Sequence, residues 1–254
     1  MTALILAAGF GSRLMPLTSN RPKCLVHYQG RAILDYEVEA LRAAGVQDIA
    51  IVGGYLMSEL AAHAKTLGIQ TIFENPEYDS TNMVATLFCA RPLLAQLCER
   101  GEGLIVSYAD IVYEPSIVRA LAQSSGELRI VVDRAWQRLW QRRFENPLDD
   151  AETLRCNGER LLELGKKPKT LEEIEGQYIG LFAFGAGFLR EVIATYDSLD
   201  KSALYDNQNF RNMYMTSFLQ CLIDRYHNAK AVFVDGGWCE IDSKSDLEID
   251  WKNL

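Results

Sequence analysis

The sequence predicts an α/β fold of three layers, helices packed on both faces of a mostly parallel, mixed central sheet. Two observations carry this. Through the first half, short and almost wholly apolar runs alternate with longer segments at helical spacing, the pattern of parallel strands covered by helices. Four of those runs are followed directly by polar or glycine-containing loops, and in an open sheet of this kind ligands gather at the carboxyl ends of the strands.

The elements follow in order. Residues 3–6 form a first strand that ends at Gly9-Phe10-Gly11. Ile33, Tyr36, Glu37, Ala40 and Leu41 then recur at helical spacing, and Gly45 stops that helix before a strand at 49–52 and the loop Gly53-Gly54-Tyr55. A strand at 71–73 leads through Glu74-Asn75-Pro76 into a helical pattern marked by Val84, Leu87, Phe88, Pro92 and Leu94. Strands at 104–107, ending in Tyr108-Ala109-Asp110, and at 128–132 complete the first half. Beyond that the reading gives strands at 153–155, 161–164 and 178–184, with helices near 187–196, 209–226 and 244–251. No Ser- or Pro-rich linker divides the chain, so its 254 residues are expected to form one domain with halves at 1–132 and 133–254.

Composition narrows the class. Hydrophobic content of 48% with 24% charged residues is that of a soluble globular protein. A net charge of −8 argues against nucleic acid or an anionic membrane as partner, since both draw on clustered basic surface. The first apolar run is too short for a signal or a span, and a cytoplasmic location is expected. Six cysteines without Cys-x-x-Cys spacing and three scattered histidines suggest neither a zinc site nor a disulfide framework; most of the cysteines are expected to be buried as small hydrophobes.

The loop after the first strand carries the chemistry. Gly9 and Gly11 let backbone amides approach an anion, Arg13 offers a planar fork of donors, and Lys23 adds a compact charge. Leu14 stands where a dinucleotide fingerprint needs its third glycine, and the spacing of a P-loop is absent. A lone Gly-x-Gly would be no more than a tight turn. Here Arg13, Pro16, Thr18, Pro22 and Lys23 accompany it.

The run Ala7-Ala8-Gly9-x-Gly11-Ser12-Arg13-Leu14-x-Pro16-Leu17-Thr18 with Pro22-Lys23 resembles the signature loop of the nucleoside-triphosphate transferases that make sugar nucleotides, CDP-choline and similar activated metabolites. The resemblance implies a Rossmann-like nucleotidyltransferase fold. It further implies that Leu6, Ala7, Ala8, Gly9, Gly11 and Ser12, with Gly54 from the second loop, embrace the nucleotide, that Arg13 holds the β- and γ-phosphates, and that Lys23 bridges the attacking phosphate and the α-phosphate. Asp110 ends an apolar strand, where a carboxylate can share Mg²⁺ with phosphates. The resemblance assigns it that role, with Ala109 where glycine is usual in the family, and extends a second metal-ligand role to Asp242 in Glu240-Ile241-Asp242-Ser243. Alone, either aspartate could equally cap a helix or form a turn.

Asn75-Pro76-x-Tyr78-x-x-Thr81-Asn82 is similar to a stretch of the bacterial phosphocholine cytidylyltransferases that borders cytosine, which implies CTP and a base contact for Asn82; capping of the following helix is the alternative. Further segments, among them Asn146 to Leu154, Glu163-Leu164-Gly165-Lys166-Lys167, Gln177 to Phe182 and Tyr205 to Gln220, resemble cytidylyltransferases that act on phosphoglutamine in bacterial capsular phosphoramidate modification. That likeness implies CTP and a small phosphorylated acceptor, L-glutamine phosphate, as substrates, CDP-L-glutamine and pyrophosphate as products, and acceptor contacts from Lys23, Lys166 and Tyr178. For the zwitterionic acceptor, Asp149, Asp150, Glu152 and Glu175 are candidate partners of the ammonium, and Arg142, Arg143, Lys166 and Arg211 of the carboxyl group. Trp136, Leu139, Trp140 and Arg143 fall at helical spacing and read as a packing face rather than a choline cage. Phosphocholine or a sugar 1-phosphate as acceptor, a nucleotide-binding regulator without catalysis, and a homo-oligomeric assembly stay open.

Overall fold

The opening apolar run becomes strand β1 (Thr2–Ala7), buried along its whole length in the computed structural model, which describes residues 1–253. Its alternation divides the core, because successive side chains of a strand face opposite ways. Ala3, Ile5 and Ala7 enter one apolar layer, Leu4 and Leu6 the other.

A long loop carrying the ribbon β2 (His27–Tyr28) and β3 (Arg31–Ala32) leads to helix α1 (Ile33–Ala43), which stops at Gly45 in a left-handed conformation. Next come β4 (Ile49–Gly53), α2 (Met57–Thr66), β5 (Thr71–Glu74), α3 (Met83–Cys89), α4 (Arg91–Arg100), β6 (Leu104–Tyr108), β7 (Ile111–Tyr113), α5 (Pro115–Gln123) and β8 (Leu128–Asp133). The second half supplies α6 (Gln137–Arg143), the hairpin β9 (Leu154–Asn157) and β10 (Arg160–Leu164), then β11 (Gln177–Phe184) and α7 (Leu189–Ser198). The ribbon β12 (Leu204–Tyr205) and β13 (Gln208–Asn209), α8 (Met215–Tyr226), β14 (Ala229–Val234) and β15 (Trp238–Glu240) complete it.

Nine strands form one sheet in the order β5-β4-β1-β6-β11-β8-β14-β10-β9. Strands β5, β4, β1 and β6 are parallel, β8 and β14 run the same way, and β11 is inserted in reverse between β6 and β8. This is the mostly parallel, mixed sheet the sequence predicts. The reversal has a consequence for the site, because it delivers the beginning of β11 to the edge where its neighbours end. Outside the large sheet, β7 and β15 form an antiparallel ribbon with Glu240 opposite Ile111, extended by the Ile241 N–H donating to the Asp110 carbonyl at 2.7 Å.

Four expectations need correction. The helical pattern from Val84 to Leu94 is two helices, α3 and α4, with Pro92 in the first turn of the second, where a missing N–H costs little. The helix expected near 209–226 begins only at Met215; before it, the Asn209 side chain accepts the Asn212 N–H at 3.0 Å and holds a 3₁₀ turn. No α-helix forms at 244–251, which holds the 3₁₀ turn Ser245–Glu248 and the start of a second, Trp251–Asn253. Asp242 caps nothing there; instead Asp246 accepts the N–H groups of Asp242 and Ser243 at 2.9 and 2.7 Å. Of the six free cysteines, Cys24 and Cys239 are buried and the other four only partly so. Among the described residues no helix is long and apolar enough to cross a membrane.

Glu37 sits in the apolar stripe of α1, fully buried, and neither carboxylate oxygen has a hydrogen-bond partner of good geometry among the described residues. Burial raises its pKa well above the usual carboxylate range, with the Ser107 and Tyr113 hydroxyls opposing and Asp110 adding to the rise. The folded chain therefore keeps a proton that the unfolded chain gives up from about pH 4.3. Over that interval unfolding releases a proton, so stability falls as pH rises, by about 1.4 kcal/mol per unit at most. Glu37→Gln removes the dependence. Denaturant unfolding should show the variant gaining on the wild type by more than about 1 kcal/mol between pH 5 and pH 8; parallel curves would mean that Glu37 is not protonated in the fold.

Candidate active site

The crevice lies at the carboxyl ends of β1 and β6, where the strand order turns from β4 on one side of β1 to β6 on the other. Its walls include Leu6, Ala7, Ala8, Gly9, Gly11, Ser12, Arg13 and Lys23 from the first loop, with Asn82, Asp110 and Asp242 from later segments. The structure thus gathers into one cavity of about 250 Å³ residues that lie more than two hundred positions apart in the chain.

The loop is shaped by two close approaches. Gly11 has φ +66, and a Cβ there would stand 2.8 Å from Lys23 Cβ, so glycine is needed both for the dihedral and for the space that lets Lys23 close over the loop. Thr18, buried, donates to the Gly11 carbonyl at 3.0 Å and ties the two ends together. Gly54 works from below. A Cβ on it would come within 2.9 Å of the Ala8 carbonyl, and the adjacent Tyr55 N–H donates to that carbonyl at 3.1 Å. Gly54 is not among the residues that line the crevice, and what it does in this structure is support the loop backbone.

Lys23 is the centre of charge. Its Nζ meets Asp110 Oδ2 at 2.7 Å and Asp242 Oδ1 at 2.6 Å, while the second oxygen of Asp242 pairs with the exposed guanidinium of Arg13. Burial works against the ammonium, but Asp110, Asp242 and Glu240 outweigh it and raise its pKa, so Lys23 is charged. The β7–β15 ribbon makes this possible by setting the segment that ends in Asp242 against the turn at Asp110.

Glu240 joins the cluster and was not among the metal ligands expected from sequence. Ligand oxygens of Asp110, Glu240 and Asp242 lie within 4.8 Å of one another. Its signal was present in the period of two, since Glu240 and Asp242 flank Ile241 and so face the same side. Burial pushes the Glu240 carboxyl up to about 7 against the pull of Arg143, with Asp110 adding to the rise. Arg143 donates to Glu240 at 2.6 Å and to Asp246 at 3.1 Å, so the backbone bonds from Asp242 and Ser243 to Asp246 rest on an anchored carboxylate. Asp110 Oδ1 is buried with no hydrogen-bond partner among the described residues, an acceptor that a divalent cation would satisfy, and hard oxygen donors are the set Mg²⁺ prefers.

Asn82 is the N-cap of α3. Its side-chain oxygen accepts the Met83 N–H at 2.8 Å and caps α3, and the residue also faces the crevice beside Tyr78, Thr81 and Thr86. Tyr178, at the start of β11, lines an adjoining second cavity. Lys166 does not reach either cavity. Backbone bonding between Thr153 and Lys166 holds it on the hairpin side, and its ammonium pairs with Glu163 at 2.8 Å in a separate depression with Arg155, Lys167 and Lys169. Among the other acceptor candidates, Asp150 and Glu152 line the second cavity, whereas Asp149 and Glu175, with Arg142, Arg143 and Arg211, do not. Arg143 is committed to Glu240 and Asp246, and Arg211 pairs with Glu77 at 2.8 Å.

With this geometry in place, comparison with known proteins is informative. Residues 3–180 match the MobA-like NTP transferase domain. The chain is 56% identical over 249 residues, 98% of each chain, to the CTP:phosphoglutamine cytidylyltransferase of Campylobacter jejuni. Its fold resembles the inositol-1-phosphate CTP transferase from T. maritima, with TM-score 0.77 at 20% identity over 99% of this chain and 92% of that one. It also resembles the CTP:phosphocholine cytidylyltransferase from Streptococcus pneumoniae, with TM-score 0.69 at 20% identity over 97% and 96% of the two chains. The family match over residues 3–180 and the 56% identity along 98% of the chain place this glycine loop, with Lys23 and the carboxylates that follow β6 and β15, in the MobA-like NTP transferase family, as a nucleotidyltransferase.

Proposed function

We propose that this chain is a cytidylyltransferase that joins CTP and L-glutamine phosphate, giving CDP-L-glutamine and pyrophosphate, in the cytoplasm, for phosphoramidate modification of a capsular polysaccharide. The observation that carries the reading is the end-to-end likeness to the Campylobacter jejuni enzyme. The crevice supports it, because Arg13 and Lys23 stand ion-paired with Asp110 and Asp242, the cations suited to phosphates and the carboxylates to their metal ion in one place.

Arg13, exposed at the mouth, suits the β- and γ-phosphates of the leaving pyrophosphate. Lys23, buried deeper, suits the attacking phosphate and the α-phosphate together. Asp110 and Asp242, with Glu240 beside them, would hold Mg²⁺, which when bound supplies charge neutralisation at phosphate oxygens. A phosphate drawn between Arg13 and Lys23 takes their charge away from Asp110 and Asp242 and frees those oxygens for a cation. No general base is required, since a phosphorylated acceptor enters already ionised at neutral pH. Leu6 to Gly11 present backbone to the nucleotide, and Asn82 with Tyr78, Thr81 and Thr86 forms the wall proposed for cytosine.

Phosphocholine is the rival acceptor, and one observation favours it: the second cavity combines acidic residues with Trp140, Tyr178 and Trp238. A panel of nucleotides and acceptors decides between them. Pyrophosphate release should require CTP and L-glutamine phosphate; turnover with phosphocholine and none with L-glutamine phosphate would overturn the acceptor.

Two substitutions test the cluster. Asp110→Asn should lower kcat by roughly 100-fold or more while thermal unfolding stays close to that of the wild type, and near-normal turnover would remove Asp110 from the mechanism. Lys23→Ala should lower kcat by about 100- to 1,000-fold with a smaller change in the KM for CTP. Unchanged kcat would refute its placement at the reacting phosphates.

A further inference from the structure

The second cavity, of about 190 Å³, opens from the crevice and shares Arg13, Met83, Tyr108 and Asp110 with it. Its far wall is acidic. Asp150, Glu152 and Glu240 line it, and among the described residues Arg13 is the one cation that does. Glu240 is answered by Arg143 from behind, but Glu152 and Asp150 have no ion-pair partner among the described residues. Burial pushes the Glu152 carboxyl up to about 7, and Asp150, Glu240 and Asp206 push it further in the same direction.

Glu152 is nonetheless held in place, by backbone rather than by its own charge. Gln177, buried at the start of β11, accepts the Glu152 N–H at 3.0 Å and donates to the Glu152 carbonyl at 2.6 Å. A carboxylate fixed in a cavity and left without a cation is arranged for a ligand that brings one.

The same walls hold two unused donors. Neither Trp140 Nε1 nor the Tyr178 hydroxyl, which has the Tyr108 hydroxyl beside it, has a hydrogen-bond partner of good geometry among the described residues; both atoms are buried and both residues line this cavity. Buried donors are seldom left unmade without a reason, since each costs about 1–3 kcal/mol of desolvation. Acidic groups and orphan donors together call for a ligand with both an ammonium and a hydrogen-bond acceptor. A sugar phosphate offers no cation, and choline offers no acceptor.

We infer that this cavity reads the amino-acid end of the acceptor: Glu152, flanked by Asp150, takes the α-ammonium, and Trp140 Nε1–H with the Tyr178 hydroxyl takes the α-carboxylate. Gln177 is a positioning residue that acts through Glu152. The inference deepens the acceptor reading above and rests on it for the identity of the ligand.

The experiment measures pyrophosphate release with L-glutamine phosphate, with the same molecule carrying hydrogen in place of the α-ammonium, and with phosphocholine. Glu152→Gln should lose about 30-fold in kcat/KM with L-glutamine phosphate and stay within about 3-fold of the wild type with the des-amino acceptor, with the KM for CTP unchanged. Gln177→Ala should raise the KM for L-glutamine phosphate and leave kcat at saturation near the wild-type value. Equal losses with both glutamine-derived acceptors would overturn the role of Glu152. If the wild type turns over phosphocholine but not L-glutamine phosphate, the acceptor reading falls; the ammonium site then stands if Glu152→Gln selectively raises the KM for phosphocholine and falls with that reading if it does not.

Discussion

The ammonium of Lys23, lodged between Asp110 and Asp242, is the interaction around which the crevice is organised. Three segments far apart in the chain must be placed together for it to form. The glycine at position 11 admits the lysine, the β6–β7 turn presents Asp110, and the β7–β15 ribbon brings up Asp242. Such a pair contributes little net stability, because desolvating the charges offsets most of their attraction, yet removing one member strands the others in a poor solvent. Its worth lies in position. Cation and carboxylates that satisfy each other in the free protein are already at the spacing that phosphates and a divalent ion can take over.

Charge is divided along the crevice in a way that the net value of −8 conceals. At one end Arg13 and Lys23, paired with Asp110 and Asp242, hold the positive charge that phosphates can take over, and at the other Asp150 and Glu152 have no ion-pair partner among the described residues. A ligand that is anionic throughout is drawn to the first end and repelled at the second. An acceptor with phosphate at one end and ammonium at the other fits both. The overall negative charge therefore gives no steering toward CTP, and capture of the nucleotide depends on the local field of two side chains.

Much of the fold was legible because burial leaves a strong mark on strands of a parallel sheet. Thr2–Ala7 and Leu104–Tyr108 read as nearly continuous apolar runs, since helices cover both of their faces. The loop was legible from its residues together with the family they resemble, and Arg13, Lys23, Asp110 and Asp242 do meet. What sequence hid has a common cause, the direction of side chains set by distant pairing. Lys166 lies in a segment that resembles its relatives, but the hairpin that holds its backbone turns the ammonium toward Glu163. Glu240 looks like one more polar residue of a short strand until its partner strand fixes which side it faces. The late segment reads as helical, and only Asp246, clamped by Arg143, shows why two 3₁₀ turns replace a helix.

The reversed strand β11 explains why the second cavity, proposed here for the acceptor, opens where it does. In a wholly parallel sheet, only strand ends and the loops after them reach the ligand edge, and those are occupied here by the nucleotide loop and Asp110. A strand running the other way brings its first residues to that edge, and in β11 these are Gln177, Tyr178 and Gly180, each facing the second cavity. Gly180 is needed because a Cβ there would stand 2.8 Å from the ring of Tyr108, at the end of β6, which lines both cavities. Substitution at the start of β11, or in the Asp150–Glu152 segment that Gln177 holds, can alter what the acceptor must look like without moving Lys23 or its carboxylates.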